Sequence, residues 1–199
     1  MGARHDRSSP ALAPASAAVP QGAADPLSDV LRMVKLSGAL FFLVDASSPW
    51  GVKVPAAGAF APIILPRARH VVSYHIVTHG AGWAIVPGSE PLRFAAGDVL
   101  VFPHGDPYAM LSAPDAPAEF EPEGALDFFR AMAAGELPFV VPEGGGGAGR
   151  ARFMCGFLGC DARPFNPLLA TLPRLMHVGR PAAPGDEDRK STRLNSVTL

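Results

Sequence analysis

Short apolar runs, each closed by glycine or proline, recur along most of this chain: GALFFLVDA, WGVKVPA, APIIL, HVVSYHIVT, GWAIV, PLRFA, DVLVF and ARFMCGFLG. A run of that length crosses a sheet once but is too short for the several turns of an ordinary helix. The punctuation is dense, 21 Gly and 22 Pro in 199 residues, and it favours strands and turns over long helices. The rhythm predicts a mainly β fold, a barrel or jelly roll over residues 38–160,.

Helical spacing shows at the two ends of this region. After Asp25-Pro26, a good helix start, the residues Leu27, Val30, Leu31 and Val34 form an apolar stripe that Gly38 ends,. Asn166-Pro167 opens a second stripe of Leu168, Leu169, Leu172, Leu175 and Met176, with Pro173 shortening or kinking it,. Short helices are therefore expected to flank the barrel. Residues 1–24, rich in Ala, Pro and Ser, read as a disordered leader,. Residues 25–180 read as the domain, and 181–199 as a disordered or non-native tail. Within the domain, 113–150 breaks the strand rhythm. It is acidic and Pro-rich, holds a short helix around Leu126, Phe128, Phe129 and Met132, and ends in Gly144–Gly147. Such a stretch predicts a mobile insertion.

Charge and motif content remove several function classes. Hydrophobic residues are 48% and charged residues 18%, so the chain is not wholly disordered,. Residues 25–179 carry a net −3, whereas a duplex-binding surface needs a surplus of Lys and Arg. No apolar run approaches the roughly 20 residues of a membrane span, and the start lacks the apolar core of a secretory signal. Two cysteines make no disulfide framework, so a cytoplasmic protein is expected,. No nucleophile elbow, phosphate loop or dinucleotide glycine fingerprint is present. Glu121 and Glu123 lie in the acidic stretch and read as a solvated face.

The most specific segment is GDVLVFPHGDPY, residues 97–108. A strand entered through a glycine turn leads into a Pro-Gly corner, as at the rim of a barrel. Gly97, Pro103 and Gly105 follow the second cupin motif, and Tyr108 stands where that family has a metal-binding His. Registering the first cupin motif on Gly80 puts Arg67 and Arg69 at the two His positions and Ser73 at the Glu position. Two guanidiniums, a hydroxyl and a phenol do not make a divalent-metal site, so neither a metal nor any other cofactor is expected. A second possibility is a non-standard metal site from His75 and His104 with Cys155. Alternation places Ser73, His75, Val77 and His79 on one strand face, the barrel interior in this register. Cys155 and Cys160 read as buried structural thiols.

The chain resembles the amino-terminal cupin regulatory domain of AraC-family transcription factors. The residues that carry the likeness are DPLSDVLRMVKLSGALFF, SPWGV, HGAGWAIVPG, AAGDVLVFPHGDPY and MCGFLGCDARPFNPLLATLP, spanning about 25–178. The resemblance implies a cupin-like jelly-roll barrel that senses a small molecule and forms a homodimer. It implies no catalysis and no membrane contact. DNA would be met through a helix-turn-helix domain, which these 199 residues are expected to lack. A small metal-dependent cupin enzyme is the alternative. The expected effector is small and polar or anionic, bound by Arg67, Arg69, His75, His104 and Tyr108. Buried guanidiniums need an anionic partner or solvent. A one-residue slip at Pro66 would instead turn both arginines to solvent and leave His70 inward.

Overall fold

Ten strands and two helices make up the computed structural model, which describes residues 36–115, 122–160 and 171–179. In chain order they are β1 (Leu36–Ser47), β2 (Gly51–Val54), α1 (Ala57–Ile64), β3 (His70–His79), β4 (Ala81–Ile85) and β5 (Leu92–Ala95). There follow β6 (Val99–Phe102), β7 (Tyr108–Leu111), α2 (Pro122–Ala133), β8 (Val140–Gly144), β9 (Arg150–Cys160) and β10 (Met176–Val178). Six strands form one sheet in the order β10-β6-β3-β9-β1-β8, and four form another in the order β2-β7-β4-β5. The β1–β8 pair is parallel and the other pairs are antiparallel. The fold is a mainly β, jelly-roll-like architecture, as the strand rhythm predicts.

Period-two alternation decides which side chains meet between the sheets. In β3 the buried residues are Val71, Ser73, His75 and Val77. His79, expected on the same interior face, is exposed, because the pairing of β3 with β9 shifts register between Val77 and His79,. Gly80 has φ +77, and a Cβ there would lie 2.1 Å from the Arg150 carbonyl oxygen. The turn at Gly80 therefore requires glycine. The interior is filled by Phe60, Phe94, Leu100, Phe102 and Val86, each at most 1% exposed.

Several expectations are corrected. APIIL, expected as a strand, lies in helix α1, where Ala57, Phe60 and Ile64 form the buried side and Pro62 is exposed. A short apolar run does not distinguish strand from buried helix, and here Phe60 stacking on Phe129 at 4.2 Å settles it,. Residues 113–150, expected as a mobile insertion, carry α2 and β8, both built into the fold. Ala125 and Phe129 of α2 are buried against the barrel, and β8 pairs with β1. Met176, expected in a carboxy-terminal helix, lies in β10, which hydrogen-bonds the edge of β6. Leu168 and Leu169 of that stripe lie outside the described residues, as do residues 25–35 of the amino-terminal helix. Gly38 falls within β1 rather than ending a helix. The two helices among the described residues lie between strands. No helix among the described residues is long and apolar enough to cross a membrane.

Candidate functional site

Register brings the interior polar groups together. His75 of β3 stands opposite Cys155 of β9 in the six-stranded sheet. Its Nδ1 lies 2.9 Å from the Cys155 sulfur. Tyr108 opens β7 in the facing sheet, directly after the Pro-Gly corner, and its hydroxyl lies 2.8 Å from His75 Nε2. The Ser73 side chain also hydrogen-bonds the phenol. Phe102 stacks on the Tyr108 ring at 3.7 Å and 10°. The result is a buried chain of hydrogen bonds, Ser73 to Tyr108 to His75 to Cys155, that ties one sheet to the other.

Burial fixes the charge state of this chain. It holds the His75 imidazole down to about 3. Burial also pushes the Tyr108 phenol well above its ordinary value. The Cys155 thiol is pushed up by the same desolvation, with the nearby Glu143 adding to it. At neutral pH all three groups are uncharged, and each has a partner for its polar atom. Neutral, satisfied groups of this kind orient one another and shape a cavity.

That cavity measures about 60 Å3 and is walled mainly by apolar side chains, among them Phe42, Trp50, Met110, Phe128, Phe153 and Phe157. His75, Tyr108, Cys155 and the buried Glu143 complete its polar part. Helix α2 closes one side with Ala125, Phe128 and Phe129. Lys53, Val54 and Tyr108 also line a neighbouring groove of about 280 Å3 that includes Pro55, Pro87 and Pro107.

Of the five residues expected at a ligand site, the structure unites two, His75 and Tyr108. Arg67 and Arg69 are exposed on the turn that follows α1. Strand alternation begins at His70, so it does not reach back to them, and solvent spares two guanidiniums the cost of burial. His70, the inward candidate of the slipped register, is half-buried and hydrogen-bonds the Pro103 carbonyl oxygen. His104 points away from the cavity, its Nε2 lying 2.7 Å from the Leu172 carbonyl oxygen. There it helps hold the carboxy-terminal strap, together with Arg174 bonded to Asp106 at 2.8 Å.

Sequence reasoning missed Glu143 and the aromatic wall. The alternation in VVPEG, with Val141 and Glu143 buried and Pro142 exposed, is the signal that could have found Glu143.

The residues present do not fit the metal that the resemblance associates with such a barrel. Arg67 and Arg69, two of the positions that the motif spacing assigns to ligands, lie outside the barrel on the turn after α1, and the Ser73 hydroxyl and Tyr108 phenol are poor ligands for a divalent ion. The non-standard trio is not assembled either, since His104 lies apart from His75 and Cys155. Among the described residues no three His, Cys, Asp or Glu side chains converge on one point.

Tyr108→Phe should cost about 1–3 kcal/mol, because it leaves His75 Nε2 and the Ser73 hydroxyl buried without their shared partner. Urea denaturation checks this, and a change within about 0.3 kcal/mol would show the bond chain to be energetically idle.

No curated protein matches the sequence. The cupin family model matches residues 25–194, which takes in the barrel, the cavity and the carboxy-terminal strap. On that match, and on the jelly-roll architecture that carries it, the chain belongs to the cupin family.

Proposed function

We propose that this chain is a small-molecule-sensing, dimerising regulatory domain of an AraC-type transcription regulator. The observation that carries the reading is the cavity between the sheets, whose polar groups bond one another and whose remaining wall is apolar. A general base or an activated nucleophile works best with a pKa near the operating pH, and burial moves these groups away from it. Here His75, Tyr108 and Cys155 are neutral and mutually engaged, which suits binding rather than turnover. The sequence resemblance over about 25–178 supplies the regulatory context. DNA recognition belongs to a helix-turn-helix segment, of which the described residues contain none.

An exposed apolar patch supports dimerisation. Phe41, Phe139 and Val140 are 54%, 55% and 47% exposed at the β1–β8 edge, and the two phenylalanine rings meet edge to face at 5.9 Å. Such a patch suits the face of a second copy.

A thermal-shift screen of small molecules tests the sensing role. A ligand at 100 times its dissociation constant should add about 2.7 kcal/mol of stability. Hits must also shift the Met110 methyl resonance, since Met110 lines the cavity. Sedimentation of Phe139→Asp beside the wild type reads the dimer in the same experiment. A screen in which every hit leaves Met110 unmoved overturns the sensing role.

A further inference from the structure

A polar or anionic effector is expected if Arg67 and Arg69 face inward. Both are exposed on the turn after α1, so the ligand class follows instead from the residues that line the cavity. Its wall is apolar and largely aromatic, with Phe42, Trp50, Phe128, Phe153 and Phe157 around the space and Met110 buried beside them. The polar part comes from His75, Tyr108, Cys155 and Glu143.

None of these polar groups is on offer to a ligand. The two ring nitrogens of His75 are taken up by the Cys155 sulfur at 2.9 Å and the Tyr108 hydroxyl at 2.8 Å. The Ser73 side chain bonds the phenol as well. Glu143 has a partner of its own within the protein. Lys53, which also lines the cavity, is exposed and keeps its ammonium group in water, as a long basic side chain at a rim does. A polar group that enters must therefore leave water and go without hydrogen bonds, or break the bonds already made. Either course is unfavourable. Ring faces attract an ammonium group, but it sheds its hydration to reach them and gains no acceptor in exchange. An apolar molecule meets none of these costs and gains dispersion contacts with the rings.

We infer, on the reading of the cavity as a ligand site, that it selects a small uncharged apolar molecule with a compact hydrocarbon-like body, and that the closed bond chain from Ser73 to Cys155 turns polar molecules away. At about 60 Å3, the cavity admits a body of a few heavy atoms. A larger one requires Phe128 and Phe129 to shift with α2.

The test uses four probes with one three-carbon skeleton and different end groups: propane, 1-propanol, propylamine and propionate. Each is titrated at neutral pH into the full chain carrying a carbon-13 label on its methionine methyls, and the Met110 resonance is followed. Propane should give a saturable shift and bind at least about tenfold tighter than 1-propanol, equivalent to about 1.4 kcal/mol. Propylamine and propionate should give no saturable shift. Cys155→Ala removes the partner of His75 Nδ1 and should close the gap between propane and the alcohol, whose hydroxyl stands in for the thiol. Cys155→Ser keeps a bonding group there and should retain the gap. Should Cys155→Ala fail to fold, Tyr108→Phe frees Nε2 and tests the same point. A polar or charged probe that binds the wild type as tightly as propane overturns the selectivity and leaves the cavity as a ligand site. A gap unchanged in the variants that open the chain overturns the role of the chain. If none of the four probes moves Met110, both the selectivity and the ligand-site reading fall.

Discussion

Lowering the pH from 6.5 to 4.5 should remove about 2 kcal/mol of stability through His75 alone, the loss per pH unit growing as the unfolded imidazole takes up its proton. Unfolded, this imidazole takes up a proton near its ordinary 6.5, whereas burial holds it to about 3 in the fold. Between those values the unfolded state binds the extra proton, so stability is present above 6.5 and lost as the pH falls. The groups facing His75 do not offer it relief. Tyr108 and Cys155 are uncharged, and the ring of Phe102 stands against it with centroids 5.9 Å apart. Glu143 acts on the Cys155 thiol on the far side of that contact. Urea denaturation at stepped pH, on the wild type and on His75→Gln, isolates the effect as a difference of slopes. Equal slopes between pH 6.5 and 4.5 would show that His75 is not held neutral.

Phe60→Ala should cost about 3–5 kcal/mol, the range for deleting a fully buried aromatic ring. Phe60 is 1% exposed. It stacks on Phe129 of α2 at 4.2 Å and meets Phe157 of β9 at 5.1 Å. Its loss opens a void where both helices dock on the barrel, lined by the Phe129 and Phe157 rings. Against a total stability of about 5–15 kcal/mol the variant should be close to unfolding. Phe139→Ala, at a ring 55% exposed, should change monomer stability by no more than about 0.5 kcal/mol. A Phe60→Ala midpoint within the range of Phe139→Ala would mean that the helices contribute little to the barrel.

How far the sequence could be read followed from how local each signal is. HVVSYHIVTH and ARFMCGFLG were legible as strands because one face of each is buried and alternation reports that face directly. The same alternation placed His75 inside, and the Pro-Gly corner placed Tyr108 at the start of an inward strand. Arg67 and Arg69 were misplaced because a motif spacing was extended past the true strand start at His70, into a turn where alternation has no meaning. His104 sits in the corner itself, and its direction is set by the Leu172 carbonyl 68 residues away. Glu143 was illegible for a similar reason. It belongs to a short strand whose pairing is with β1, far away in sequence, and the acidic, glycine-rich surroundings resemble a loop. APIIL failed because its length suits either element, and the deciding contact is with Phe129, a residue beyond five intervening strands.

The position of β9 has a consequence in time. This strand lies in the middle of the six-stranded sheet, bonded to β3 on one side and β1 on the other. It spans Arg150–Cys160 and so is among the last parts of the barrel to be synthesised. A chain emerging from the ribosome up to residue 149 carries β1 and β3 with the strand that joins them still to come. Each then presents an open edge of unpaired amides and carbonyls, the kind of surface on which nascent chains associate wrongly. The barrel cannot close strand by strand as it is made. It closes when β9 arrives and slots between two waiting edges, so the hazard lies in the interval before that arrival, and a chaperone that shields β1 and β3 during it would protect the whole domain.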